Sequence, residues 1–261
     1  MTTTGAQRLD ILNLSVSRGG RTVVDGLSCS LASGSFVGLI GPNGSGKSTL
    51  LKAVMGLLPC VGQVNLSGES FLDKQPKERA QLVAYLPQDG QVVWPIAVED
   101  LVMLGRSPYR SGFAPPTDVD RSAVESALAA MDLVKLRRRS ARELSGGEKA
   151  RVLIARTLAQ DTPVLIADEP TSGLDPSHQI ALMEIFCAKA REGRTVLASL
   201  HDLALAAQWC DQLILIDDGA IVAAGTPEAV LTADVLASVY GVEAYFGQSR
   251  QGLVVAPIAR V

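Results

Sequence analysis

The sequence predicts an α/β fold: a mixed sheet covered by helices, preceded by an antiparallel β subdomain and carrying a helical subdomain in its middle. Three observations predict it. Two stretches of alternating apolar and polar residues open the chain, short continuously apolar runs alternate with helical periodicity beyond residue 145, and the stretch between about 97 and 142 is mostly helical in pattern.

Residues 9–17 and 22–31 alternate with the period of half-buried strands, and Gly19-Gly20 between them suits a hairpin turn. Residues 36–40 are continuously apolar; a glycine-rich stretch follows, then helical spacing over 48–57. Residues 61–66 and 82–86 read as strands, 98–104 and 122–131 as helices, and the Pro- and Gly-rich 107–119 as a loop. From there the pattern runs helix 146–160, strand 164–167, helix 176–191, strand 195–200, a helix from Asp202, and a hairpin 212–224 turning at Asp218-Gly219. Alternation of this kind makes a parallel sheet. A single domain over 1–261 accounts for the chain, with 97–142 as its helical subdomain and 242–261 unassigned.

Composition narrows the function. A formal charge of -3 and 47% hydrophobic residues describe an ordinary globular protein and argue against nucleic acid as a partner. The one dense basic run, Arg137-Arg138-Arg139, reads as a solvated helix end after the amphipathic 121–136. Cys29, Cys60, Cys187 and Cys210 lack the paired spacing of a zinc or redox motif and read as buried structural thiols. Residues 1–10 show no signal-peptide pattern, and no apolar run approaches the ~20 residues of a membrane helix, so a cytoplasmic chain is expected.

Gly41, Pro42, Asn43, Gly44, Ser45, Gly46, Lys47 and Ser48 fit G-x-x-x-x-G-K-S, directly after an apolar run and directly before a helical pattern, with Thr49 next. The glycines let backbone N–H groups turn around a phosphate, the helix N-terminus favours negative charge, Lys47 adds a mobile cation, and Ser48 can ligate Mg²⁺. A glycine-rich turn that merely linked strand to helix would have no packing reason to carry a lysine followed by two hydroxyls. The loop therefore predicts a P-loop core that takes ATP with Mg²⁺.

A second apolar run, 164–167, ends in Asp168 and Glu169. Unpaired charge at the tip of a buried strand is costly, so these acids call for a cation. Asp168 suits the metal, with Ser48, and Glu169 suits polarising an attacking water. An acid pair that only caps the strand is the bland reading, and the phosphate loop upstream weighs against it. Leu144, Ser145, Gly146, Gly147 and Glu148 then stand ahead of an Arg-bearing helix; alone they could be an N-cap with Ser145 as the capping residue.

In this order and spacing the motifs closely resemble those of the ABC ATPase family, over about 9–241. The resemblance implies that Ser145, Gly146 and Gly147 form the signature that covers ATP held by another copy. It implies that Gln88, in Tyr85-Leu86-Pro87-Gln88, reaches the metal and attacking water, that Asp175 belongs to the D-loop, and that His201 contacts the γ-phosphate. Catalysis would then rest on Glu169, His201 and Gln88, and the metal on Ser48, Gln88 and Asp168. His178 lacks such a context and reads as lying on an exposed helix start. Where the family places an adenine-stacking aromatic this chain has Arg18, whose guanidinium plane can also stack on a base.

Residues 98–109, 174–179 and 224–228 resemble the bacterial importer subgroup for iron-siderophore, haem and cobalamin. That resemblance implies a homodimer of ATPase subunits beneath integral membrane permease subunits, on the cytoplasmic side of the inner membrane. A periplasmic substrate-binding protein would deliver the ligand through the permease. ABC ATPases acting on DNA or the ribosome are the alternative, but their long coiled coil, cysteine-rich zinc module or fused second half is not in this sequence. A small-molecule kinase would leave residues 144–148 unexplained.

Overall fold

Residues 8–88, 90, 94–112, 114–250 and 252–261 are described by the computed structural model; residues 1–7 of the N-terminal stretch considered above, and Phe113 of the expected loop, lie outside them. β1 (Leu9–Arg18) and β2 (Arg21–Leu31) pair antiparallel, with Arg18 opposite Arg21 across the Gly19-Gly20 turn. β3 (Phe36–Ile40) leads through the glycine-rich loop into α1 (Lys47–Val54), which stops three residues earlier than its apolar spacing suggests. β4 (Val61–Leu66) and the short β5 (Glu69–Ser70) complete a four-stranded antiparallel sheet of order β2-β1-β4-β5.

α2 (Pro76–Leu82) precedes β6 (Val83–Leu86) and is unforeseen in the sequence reading, which starts the strand at Leu82. α3 (Val98–Met103) runs into a 3₁₀ stretch, Leu104–Tyr109, that enters the segment expected as loop at Ser107, and α4 spans Asp118–Ala130. The ends of this lobe are tied together: Ala97 bridges Ser140, and the Val98 and Glu99 N–H groups donate to the Arg139 and Arg137 carbonyls. α4 stops at Ala130, so the basic run follows the 3₁₀ turn Val134–Leu136 instead; Arg137 caps that turn, and its guanidinium pairs with Glu99 at 2.7 Å and Glu125 at 2.5 Å.

α5 (Gly146–Gln160), β7 (Val164–Asp168), α6 (Pro176–Arg191), β8 (Thr195–Ser199), α7 (Leu203–Trp209), β9 (Gln212–Asp217) and β10 (Ala220–Gly225) follow the expected alternation. They give a six-stranded sheet of order β10-β9-β3-β8-β7-β6, parallel except for β10. Two short helices, α8 (Pro227–Val230) and α9 (Ala233–Val235), and a π turn at Leu236–Tyr240 lead to the hairpin of β11 (Val242–Ser249) and β12 (Gly252–Arg260), which fills the unassigned C-terminal segment.

The sheet is buried on both faces, which is why its strands read as continuous apolar runs. Phe36 and Ile40, Leu165 and Ala167, and Val196 and Ala198 face the helices α5 to α7. Val37 and Leu39, Val164 and Ile166, and Leu197 face α1 and the antiparallel sheet. Of the cysteines only Cys210 is fully buried; Cys29, Cys60 and Cys187 are half-buried, and none of the four is in a disulfide.

Candidate active site

Four neighbouring parallel strands, β3, β8, β7 and β6, end on the same edge of the sheet, and a loop leaves each there. Ligands of α/β sheets bind beyond these carboxyl ends. The phosphate loop leaves β3, His201 follows β8, Asp168 and Glu169 end β7, and Gln88 follows β6.

The loop's glycines are forced by close approach. A Cβ on Gly41 (φ 149°) would lie 2.0 Å from the Ile216 carbonyl oxygen, and one on Gly46 (φ 103°) 2.9 Å from that of Val23. The Asp218-Gly219 turn buttresses the same loop: the Gly219 N–H donates to the Ser45 carbonyl, and its own carbonyl accepts from the Asp25 N–H. Lys47, only 5% exposed, folds back so that Nζ donates to the carbonyls of Gly41 (2.7 Å) and Pro42 (2.9 Å). That leaves one of its three N–H bonds for a phosphate oxygen. Burial pushes its ammonium pKa down, against the opposing pull of Glu169 and Asp168.

Asp168 and Ser199 stand opposite each other in the β7–β8 register, and the sequence reading missed Ser199. Its hydroxyl donates to Asp168 Oδ1 at 2.8 Å and accepts the Glu169 N–H at 2.8 Å, so one side chain orients both acids. The Ser48 hydroxyl donates to the same Oδ1 at 3.0 Å. Glu169 is held at φ 51°, a conformation unfavourable for a side chain bearing a Cβ, which turns it away from the strand. There Gln88 Nε2 donates to Oε2 at 2.7 Å, and His201 Nε2 meets Oε1. The three residues expected to do the chemistry are thus in direct contact.

They roof a cavity of ≈ 240 Å³ whose floor is Asn43, Gly44, Gly46, Lys47, Ser48 and Thr49, with Val23 at one side. Gly41, Pro42 and Ser45 shape the loop from outside that lining. Arg18 is exposed in the β1–β2 turn and is not among the lining residues, whereas Val23 of β2 is. The strand alternation that buries Val24 and turns Val23 the other way was the available signal for it.

A family model described as "ABC transporter" matches residues 24–172, more than half of the chain. The chain belongs to the ABC transporter family. It is 45% identical to the hemin import ATP-binding protein HmuV of Pseudomonas aeruginosa over 90% of this chain and 93% of that one. To the cobalamin import ATP-binding protein BtuD of Halobacterium salinarum it is 40% identical over 89% of this chain, spanning only 58% of that longer relative. Among solved structures it resembles a dimeric ATP-binding cassette in a post-hydrolysis state bound to ADP and Pi, with TM-score 0.75 and 25% identity over 84% of this chain and 98% of that one. Its fold is accordingly that of the ATP-binding cassettes of ABC transporters.

The ABC signature lies apart from the phosphate cavity of its own chain. Ser145 caps α5: its hydroxyl accepts the Glu148 N–H at 3.3 Å, and the Glu148 carboxylate accepts the Ser145 N–H at 2.8 Å. That backbone bond holds the Glu148 carboxyl below its ordinary range. A Cβ on Gly147 would touch the Gly173 carbonyl oxygen at 3.4 Å, so the signature packs on its own D-loop. Gly146 lines a separate cavity of ≈ 210 Å³ together with Gln88, Asp168 and Glu169. Asp175 caps α6, accepting the His178 N–H at 2.9 Å, and the His178 ring also bonds this carboxylate; that ring is half-buried rather than exposed.

Proposed function

We propose that the chain hydrolyses ATP at a site completed by a second copy of itself, and that this drives a membrane importer for haem, iron-siderophore or cobalamin. The observation that carries the reading is the cluster of Gln88, Glu169 and His201 over the phosphate cavity, with Ser145 and Gly147 outside it. Glu169, turned over the cavity, orders and polarises a water for attack on the terminal phosphate. Gln88 holds the carboxylate from one side, and His201 can pass from Glu169 to the phosphate, so the cluster can report which nucleotide is bound. Lys47 and the loop N–H groups take up charge that grows on the phosphates during attack.

Mg²⁺ fits the donor set. Two carboxylates, Asp168 and Glu169, face one ammonium, Lys47, so the buried site carries surplus negative charge. The Ser48 hydroxyl spends its hydrogen on Asp168 and keeps its lone pairs. Ser48, Asp168 and Gln88 would hold the ion, which when bound neutralises charge between the phosphates.

The signature of a second copy would complete the nucleotide site, in a two-fold dimer. In this reading the dimer lies beneath a separate permease pair at the cytoplasmic face of the membrane, fed by a periplasmic binding protein. The names of the two import relatives support the ligand class. The test is reconstitution of the chain with a candidate permease pair, in vesicles carrying a binding protein loaded with haem, ferric siderophore or cobalamin. One of the three should stimulate ATP hydrolysis several-fold; stimulation by none would remove the import assignment.

A further inference from the structure

Ser45 Oγ in the phosphate loop apart, two buried polar atoms near the site, the Tyr85 hydroxyl oxygen and Asp168 Oδ2, have no partner in good hydrogen-bond geometry. They are neighbours by strand register. Tyr85 of β6 stands opposite Ile166 of β7, and Asp168, two residues further along β7, shares the face of Ile166. That is the face packed on α1, where Tyr85 joins Ile166 and Val54 in one apolar cluster. A polar atom is costly to bury unpaired, and two such atoms side by side remove each other's penalty by pairing.

Both donors that already reach Asp168, the hydroxyls of Ser48 and Ser199, go to Oδ1. A carboxylate held by one oxygen is still free to swing about its Cβ–Cγ bond, where the torsional wells are broad. The phenol of Tyr85 carries a hydrogen to donate, which a carboxylate oxygen can accept. Phenylalanine or methionine would fill the same apolar cluster, so packing does not explain the hydroxyl.

We propose that Tyr85 is a positioning residue for Asp168: its O–H donates to Oδ2, so that three hydroxyls clamp the carboxylate on both oxygens. This deepens the function proposed above and rests on Asp168 being the carboxylate that holds the cation. Residues that orient a metal-holding group commonly change metal affinity by tenfold or more when removed. The phenol would thus tune how tightly this ATPase takes Mg²⁺ without touching nucleotide or metal.

The experiment uses the full chain with Tyr85→Phe, Asp168→Ala and the double variant. In EDTA and without nucleotide, urea unfolding reads the contact itself. Tyr85→Phe should shift the midpoint in the wild-type background and leave it almost unmoved beside Asp168→Ala. Equal shifts in both backgrounds overturn the proposal. With Mg²⁺ present, a fluorescent ATP analogue should need about tenfold more Mg²⁺ for half-maximal binding to Tyr85→Phe, while its affinity in EDTA stays as in wild type. An unchanged Mg²⁺ requirement in Tyr85→Phe, with a raised one in Asp168→Ala, overturns the positioning role alone. If Asp168→Ala also leaves the requirement unchanged, the cation reading of Asp168 falls, and the positioning role with it.

Discussion

In the proposed reaction Glu169 must be held firmly enough to aim at one water, and the bonds around it do so. Gln88 donates to one carboxylate oxygen, the Ser199 hydroxyl fixes the backbone N–H, and His201 closes the other side. Glu169→Gln keeps the shape and removes the charge. ATP affinity should therefore stay near wild type in a filter-binding assay, while phosphate release falls by about 10² or more, the loss expected when one positioned catalytic group is removed; turnover at the wild-type rate would take Glu169 out of this role. Lys47→Ala acts on binding instead, because the ammonium already has its carbonyl partners and offers its remaining donor to phosphate. Losing a hydrogen bond to a charged group should weaken ATP binding by about 10- to 100-fold, measured by calorimetry with a non-hydrolysable analogue. These residues were legible in the sequence because their chemistry needs fixed spacing along the chain. Ser199 was not, since a serine at the end of an apolar strand is ordinary until the register sets it opposite Asp168. Val23 escaped for a similar reason, while Arg18, placed by its motif position for a base rather than a phosphate, lies outside the lining of the phosphate cavity.

At the scale of elements, what the sequence hides is what lacks an apolar period. No residue of α2 is fully buried and only Leu82 packs against the core, so Pro76–Leu82 has no hydrophobic stripe to find, and only its local start signals, Pro76 and the Gln75–Glu78 capping box, mark it. The 3₁₀ stretch Leu104–Tyr109, whose last three residues read as loop, carries the most buried ion pair of the fold among the described residues. Arg106 and Asp120, 5% and 3% exposed, meet at 2.9 Å; Arg106 also donates to the Ala159 and Gln160 carbonyls at the end of α5, and Tyr109 stacks on it at 4.1 Å. This clamp joins the helical lobe to α5, and its partners are too far apart in sequence to be paired by eye. Asp120→Ala would strand a buried guanidinium, so about 3–5 kcal/mol of stability should be lost in urea unfolding. Arg106→Met with Asp120→Leu should recover most of that loss, because no charge is then left unpaired. The clamp also has a pH signature. Burial pushes the Asp120 carboxyl up, but the Thr117 N–H, Arg106 and the Thr117 hydroxyl outweigh it and leave the pKa at about 2. A depressed carboxyl stabilises the fold above its unfolded pKa, near 4, and that stability should drain away as pH falls toward about 2. The acid side of the stability profile should therefore be flatter in the Met/Leu pair than in wild type.

At the scale of the whole molecule, Ser145 and Gly147 stand outside the lining of their own chain's phosphate cavity. The phosphate cavity is roofed by Gln88, Glu169 and His201 but has neither Ser145 nor Gly147 in its lining, while Ser145 caps α5 and Gly147 packs on Gly173. If two copies complete each other, damage to the phosphate loop and damage to the signature belong to different sites of the dimer. Ser145→Arg places a long cation where the second copy's phosphate loop would close, so this chain should bind ATP with near wild-type affinity and remain a monomer in light scattering. Lys47→Ala should fail earlier, at nucleotide binding. Each variant alone should then hydrolyse ATP at about 10²-fold below wild type or less, if a whole site is lost. Mixed in equal amounts they can still assemble one intact site, from the phosphate loop of the Ser145→Arg chain and the signature of the Lys47→Ala chain. Hydrolysis should reappear on mixing, rise with the total protein concentration as an association equilibrium requires, and saturate below the rate of wild type, because only one site in each mixed pair is whole. If the mixture stays as inactive as its parts, or if Ser145→Arg alone forms ATP-dependent dimers, each chain must complete its own site, and the role given to a second copy is wrong.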